Sequence, residues 1–117
     1  MDEQRFSIVD AADVIVGEIV IFTDGDKSRI SRTDFINSFS TEISAQRAAD
    51  LAKAAQRRDW ALLNSFDPEF LPWYCPKCGV IYASDQWKVW AKFDEGEHWL
   101  DSYRGACPQG HERMIAD

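Results

Sequence analysis

Two short segments with the same internal logic constrain this chain most: Cys75-Pro76-Lys77-Cys78-Gly79 and Cys107-Pro108-Gln109-Gly110-His111. In each, proline follows the first ligand-type residue and glycine sits beside the last. Proline pre-sets the backbone and glycine permits a left-handed φ, so each segment reads as a tight turn presenting two side chains together. Backbone N–H groups in such a turn point at sulfur and favour the thiolate. Two of these turns face to face would supply three sulfurs and one imidazole nitrogen, a tetrahedral donor set. The expected ligands are Cys75, Cys78, Cys107 and His111, and the expected cofactor is one structural Zn2+. A rubredoxin-like iron site would want a fourth sulfur. His98 is the other histidine. It lies beside Trp99 in strand-like sequence and not in a glycine-bearing turn, so His111 is preferred.

The stretch between Cys78 and Cys107 has room for two or three strands. Residues 87–93 read as one, with Trp87, Val89, Ala91 and Phe93 on one face and Trp90 opposite. Residues 94–97 form a turn and residues 98–103 return antiparallel. The order turn, hairpin, turn is that of a zinc ribbon. Three cysteines, an odd number clustered late, do not make a disulfide framework. No basic segment followed by an apolar one opens the chain, so a reducing, cytoplasmic setting is expected, with no membrane span.

The first part of the chain reads differently. Residues 1–13 are polar and mixed, with order expected only toward their end. Residues 14–22, VIVGEIVIF, are β-branched and nearly continuous, which predicts a strand, with Gly17 marking a bulge or a close backbone approach. Thr23-Asp24-Gly25-Asp26 predicts a turn and residues 27–30 a short returning strand. Ser31-Arg32-Thr33-Asp34 has capping-box spacing, which predicts a short helix over residues 33–39. A longer helix is predicted from residue 40 or 41 to about residue 58, burying Ala48, Leu51, Ala52 and Ala55. Asp59 caps a further turn or two that turn Trp60, Leu63 and Phe66 inward, and the proline-bearing stretch after Phe66 ends the helical region.

The fold class is therefore α+β. An N-terminal part, residues 1–72, has a strand or hairpin and two or three helices. It packs as one unit on a ribbon-like module, residues 73–117. Four of the five tryptophans fall in or at the edge of that module: Trp73, Trp87, Trp90 and Trp99. They serve either as a substitute core, since ribbons hold few aliphatics, or as an exposed face. In the second case Trp87, Trp90, Trp99 and Arg104 are the candidate partner surface. Acidic residues outnumber basic ones 20 to 13, for a net charge of −7. That balance disfavours nucleic acid and favours a protein partner.

The stretch from Arg58 to Asp117 resembles a group of small bacterial proteins of uncharacterised function. The matching residues are Arg58-Asp59-Trp60-Ala61-Leu62, Asp67-Pro68-Glu69-Phe70, Trp73-Tyr74-Cys75-Pro76-Lys77-Cys78 and Cys107-Pro108-Gln109-Gly110-His111-Glu112-Arg113-Met114-Ile115. The resemblance implies a zinc-ribbon module and no particular activity; the first 57 residues carry none. The expected function is a non-enzymatic interaction or adaptor protein, of immunity or antitoxin type. The alternatives are a nucleic-acid-associated ribbon, then a zinc hydrolase or thiol oxidoreductase.

Overall fold

The computed structural model describes residues 2–34, 38–67, 69–93 and 100–116, with the side chains of Leu100 and Asp101 excepted. The chain is α+β. Four strands open it as an antiparallel meander: β1 (Asp2–Val9), β2 (Ile15–Asp24), β3 (Lys27–Asp34) and β4 (Ser38–Ile43), in spatial order β1-β2-β3-β4. The predicted central strand is β2, and the predicted turn joins it to β3 where Asp24 pairs with Lys27. Gly17 fulfils both expectations. Ile8 faces Gly17 while Val9 faces Ile15, which leaves Val16 as the extra residue of a bulge. A Cβ on Gly17 would also lie 2.7 Å from the Thr33 carbonyl oxygen.

Three expectations for this half are corrected. The opening residues are ordered from Asp2 onward, because β1 pairs with β2 along its whole length. Their polarity reflects an edge strand whose outer half faces solvent; Arg5 there pairs with Glu3 and Glu18. No helix forms over the described part of 33–39: Thr33 pairs with Ser38 and Arg32 with Phe39 in a strand ladder, while residues 35–37 lie outside the described residues. The reason lies in the buried face of β3, which holds Ser28, Ile30 and Arg32 at 4%, 0% and 3% exposure. Two of those three are polar, so the period-two pattern does not register as hydrophobic. The long helix correspondingly starts late, since residues 40–43 belong to β4.

Helix α1 (Ala45–Gln56) is capped by Ser44, whose hydroxyl accepts from the Arg47 N–H at 3.1 Å. It buries Leu51 together with Ala48, Ala52, Ala54 and Ala55, and the small alanines let it lie close against β2 and β3. Helix α2 (Trp60–Phe66) is capped by Asp59, which accepts from the Leu62 N–H at 3.2 Å. Leu63 is fully buried, and Trp60 and Phe66 pack half-buried on the core, as expected. Phe39, Phe66 and Phe70 meet edge to face, with centroids 5.5–6.5 Å apart.

After α2 the chain runs buried from Phe70 to Cys75. Two strands of two residues, β5 (Tyr74–Cys75) and β6 (Val80–Ile81), form a minimal hairpin. A 3₁₀ turn (Ser84–Gln86) leads to a three-stranded antiparallel sheet, β7 (Lys88–Phe93), β8 (Leu100–Ala106) and β9 (Glu112–Ala116), in that spatial order. The strand and its return were predicted; β9, beyond the second cysteine turn, was not. One core cluster runs through both halves, from Ile19, Ile21 and Ile30 through Leu63 and Phe70 to Trp73, Cys75, Ile81, Trp87, Cys107 and Ile115. Among the described residues no helix is long and apolar enough to cross a membrane.

Candidate metal centre

The two cysteine turns form as their residues require. In the first, Gly79 N–H donates to the Cys75 carbonyl at 2.8 Å, and Cys78 N–H points at the Cys75 sulfur at 3.4 Å. In the second, Gly110 N–H donates to the Cys107 carbonyl at 2.8 Å, and Cys107 N–H to the His111 carbonyl at 2.9 Å. Gly79 and Gly110 have φ of +73° and +87°, and a Cβ at either would meet nothing within 4 Å. Backbone conformation, not space, selects glycine at both.

These turns bring Cys75, Cys78, Cys107 and His111 together, with their ligand atoms all within 4.8 Å of one another. Nδ1 of His111 lies 3.5, 3.3 and 3.5 Å from the sulfurs of Cys75, Cys78 and Cys107. The sulfurs of Cys78 and Cys107 are 3.9 Å apart. A tetrahedral ion bonded to sulfur at ~2.3 Å and to nitrogen at ~2.0–2.1 Å sets ligand-to-ligand edges of about 3.8 Å (S···S) and about 3.6 Å (S···N). The four observed edges match these to within a few tenths of an ångström. The residues therefore fit a four-coordinate metal ion with the imidazole bound through Nδ1.

The surroundings prepare the thiols unequally. Burial pushes the Cys75 thiol up, against the N–H groups of Cys78 and Lys77, which pull it down. At Cys107 burial also pushes up, but the N–H groups of His111 and Gln109 outweigh it, together with the other two cysteines, and the net shift is down. The Cys78 side chain faces the Tyr82 phenol and is the main cause of a pKa pushed up to about 12 there. Three thiolates around a divalent ion would leave a net charge of −1, and Arg113, close enough to Cys75 to be attracted to it, would supply a compensating cation. Burial lowers the Arg113 pKa, and attraction to Cys75 opposes that shift.

Arg113 also ties the second turn to the chain entering the first. Its Nε donates to the Met114 carbonyl at 2.9 Å, and its Nη1 faces Asn64 Oδ1 at 3.1 Å and the carbonyls of Leu71 and Tyr74. From the other side, the Arg32 guanidinium donates to the carbonyls of Glu69 and Phe70, both at 2.8 Å, and pairs with Asp34 at 3.2 Å. Two arginines from separate sheets thus hold the segment that delivers Tyr74 and Cys75. Sequence reasoning missed both. For Arg113 a signal existed: it alternates with Ile115, so a strand there must turn both toward the core.

A family model described as "Domain of unknown function (DUF8328)" matches residues 4–117. The chain belongs to the DUF8328 family. The DUF8328 match takes in nearly all of the first 57 residues, where the sequence alone carried no resemblance. No curated protein and no solved structure matches the chain.

The other predicted site residues of this DUF8328 domain do not converge on the metal centre as a surface. Trp87 is 6% exposed. It packs on Trp73 and Tyr82 with centroids 6.1 and 6.4 Å away, and its indole N–H donates to the Tyr82 carbonyl at 3.3 Å. It is core, which removes it from the expected partner surface. Because Trp87 precedes β7, the face it was assigned to continues without it as Val89, Ala91 and Phe93, all exposed. Trp90 and Arg104 are half-buried and directly opposite each other in the β7–β8 ladder. Trp99 and His98 lie outside the described residues.

Proposed function

We propose that the Cys75, Cys78, Cys107 and His111 set holds one structural zinc ion, and that the chain is a non-enzymatic protein-interaction module. The observation that carries the metal assignment is the convergence of the four ligand atoms within 4.8 Å, with four of their six edges near tetrahedral values. Three sulfurs and one imidazole suit zinc among the common ions. Four protein ligands fill a tetrahedral shell, whereas hydrolytic zinc sites keep a position for water. The Cys-x-x-Cys turn lies between two short strands, not at a helix N-terminus, where oxidoreductase thiols are activated. A net charge of −7 favours a protein partner over a nucleic acid.

A second reading has one observation in its favour. Lys88, Trp90, Lys92 and Arg104 share one face of the β7–β8 ladder, a cationic and aromatic surface of the kind that single strands stack on.

Native mass spectrometry of the full chain, isolated gently from its host, tests the proposal. The expected species carries one zinc per chain together with a second polypeptide. Iron in place of zinc would overturn the metal assignment. Oxidised Cys75 and Cys78 with no metal would move thiol chemistry to the front. Bound nucleic acid released by salt would replace the protein partner.

A further inference from the structure

Strand β7 pairs with β8 on one side, and among the described residues no strand pairs with its other side. Such an edge is a ready template for another chain, and proteins ordinarily blunt it with charge. The edge strand β1 is blunted in this way, with Asp2, Glu3 and Arg5 all exposed. Strand β7 carries charge on one face only. Its other face holds Val89, Ala91 and Phe93, with Tyr103 opposite Ala91. Val89, Phe93 and Tyr103 are 44%, 56% and 43% exposed, three of the six large apolar side chains exposed among the described residues. This face begins over the core, where a Cβ on Gly105 would lie 2.9 Å from Ile115, and runs on past it into solvent.

The opposite face of β7 holds Lys88, Trp90 and Lys92, with Arg104 across from Trp90. None of these three cations forms an ion pair among the described residues. The two lysines stand about 13 Å apart along the strand with the half-buried indole midway.

We propose that β7 accepts an extended segment of a partner protein as an added strand, one in which acidic and apolar residues alternate. The inference rests on the interaction-module reading and names its partner chemistry. Main-chain hydrogen bonds to the open edge would supply affinity, and side chains alternating with period two would supply specificity. Carboxylates on one face of the incoming strand lie beside Lys88 and Lys92. Apolar side chains on its other face cover Val89, Ala91 and Phe93. A second copy of this chain fits poorly: antiparallel pairing of β7 with itself about Trp90 sets Lys88 against Lys92 twice, and like charges directly opposite destabilise a sheet. A nucleic acid would use the cationic face and leave the apolar one uncovered. An alternating peptide accounts for both.

The test pans the zinc-loaded full chain and its K88E/K92E variant against a displayed library of random linear peptides. Zinc content confirms that each is folded. The parent should enrich alternating acidic–apolar sequences and the variant alternating basic–apolar ones. A synthetic peptide from the first selection should bind the variant about tenfold more weakly and shift the backbone amide resonances of β7. Winners that ignore the charge reversal and shift amides elsewhere would overturn the β7 assignment while leaving an interaction module standing. No winners on either protein would overturn both, and the lysines would be guards against edge-to-edge aggregation. Salt-dependent binding of oligothymidylate through the β7 amides, in the absence of peptide winners, would overturn the peptide assignment in favour of single strands.

Discussion

Replacing Arg113 by methionine keeps the length and apolar stem of the side chain and removes its charge and donors. Nη1 has two protons for three acceptors, Asn64 Oδ1 and the carbonyls of Leu71 and Tyr74, so one acceptor shares. With the Nε bond to Met114, these contacts among the described residues amount to about three charge-assisted bonds, at ~1.5–3 kcal/mol each. The low end applies, because burial already costs the guanidinium, as its lowered pKa shows. About 4–5 kcal/mol is lost, and about 1–2 kcal/mol returns when the buried charge is gone, leaving a net loss of about 3 kcal/mol. For a chain of this size that lowers Tm by about 12 °C. The Tyr74 carbonyl lies one peptide before Cys75, so the first cysteine turn loosens with it. Thermal unfolding at fixed free zinc measures the first effect, and metal transfer to a chromogenic chelator measures the second, expected to quicken several-fold. Arg113→Lys keeps a cation near Cys75 but not the planar fork. It should restore metal retention more than Tm. If R113M unfolds within about 3 °C of the parent and releases metal at the parent rate, Arg113 is not the brace described above.

Cys75→Ala should lose the metal and unfold residues 73–117 first, seen as a change in tryptophan emission; a variant that kept both would refute the ligand assignment. Metal uptake near pH 7 should expel a proton from Cys75, whose buried thiol sits above its ordinary range without metal. Apparent affinity should then fall as pH falls, and a pH-independent competition titration would contradict it. Gly17→Ala should cost about 1–3 kcal/mol, because the added methyl meets the Thr33 carbonyl, a backbone atom that cannot step aside. Gly105→Ala should also destabilise, since its methyl would meet Cγ1 and Cδ1 of the buried, β-branched Ile115 at 2.9 and 3.0 Å and the Lys88 carbonyl oxygen at 3.4 Å; urea midpoints compare the two directly. Asp59→Ala should cost about 1 kcal/mol through the lost cap on Leu62 N–H, with no change in metal content.

What could be read from the sequence was whatever is decided within a few neighbouring residues. The two cysteine turns are of this kind: proline, glycine and ligand follow one another, so the donor set was legible before any fold was known. So were β2, with its run of β-branched residues, and the Asp59 cap of the second helix, whereas the Ser44 cap of the first was not, because the sequence pattern runs that helix back through residues 40–43, which belong to β4. Tertiary structure decided the rest, because the forces there act between residues far apart in the chain. Strand β3 extends through Arg32 and Asp34 because Arg32 can reach the carbonyls of Glu69 and Phe70, a partner no local pattern displays. Polar β1 is ordered because β2 offers it a ladder. Trp87 became core and Trp90 only half-buried, although one strand pattern described both, because Trp87 precedes β7 and packs on Trp73 and Tyr82, whereas the strand after it runs into solvent. The four metal ligands were named by local chemistry. Their convergence to within 4.8 Å of one another is decided by the fold, which brings the turn after β5 against the turn before β9.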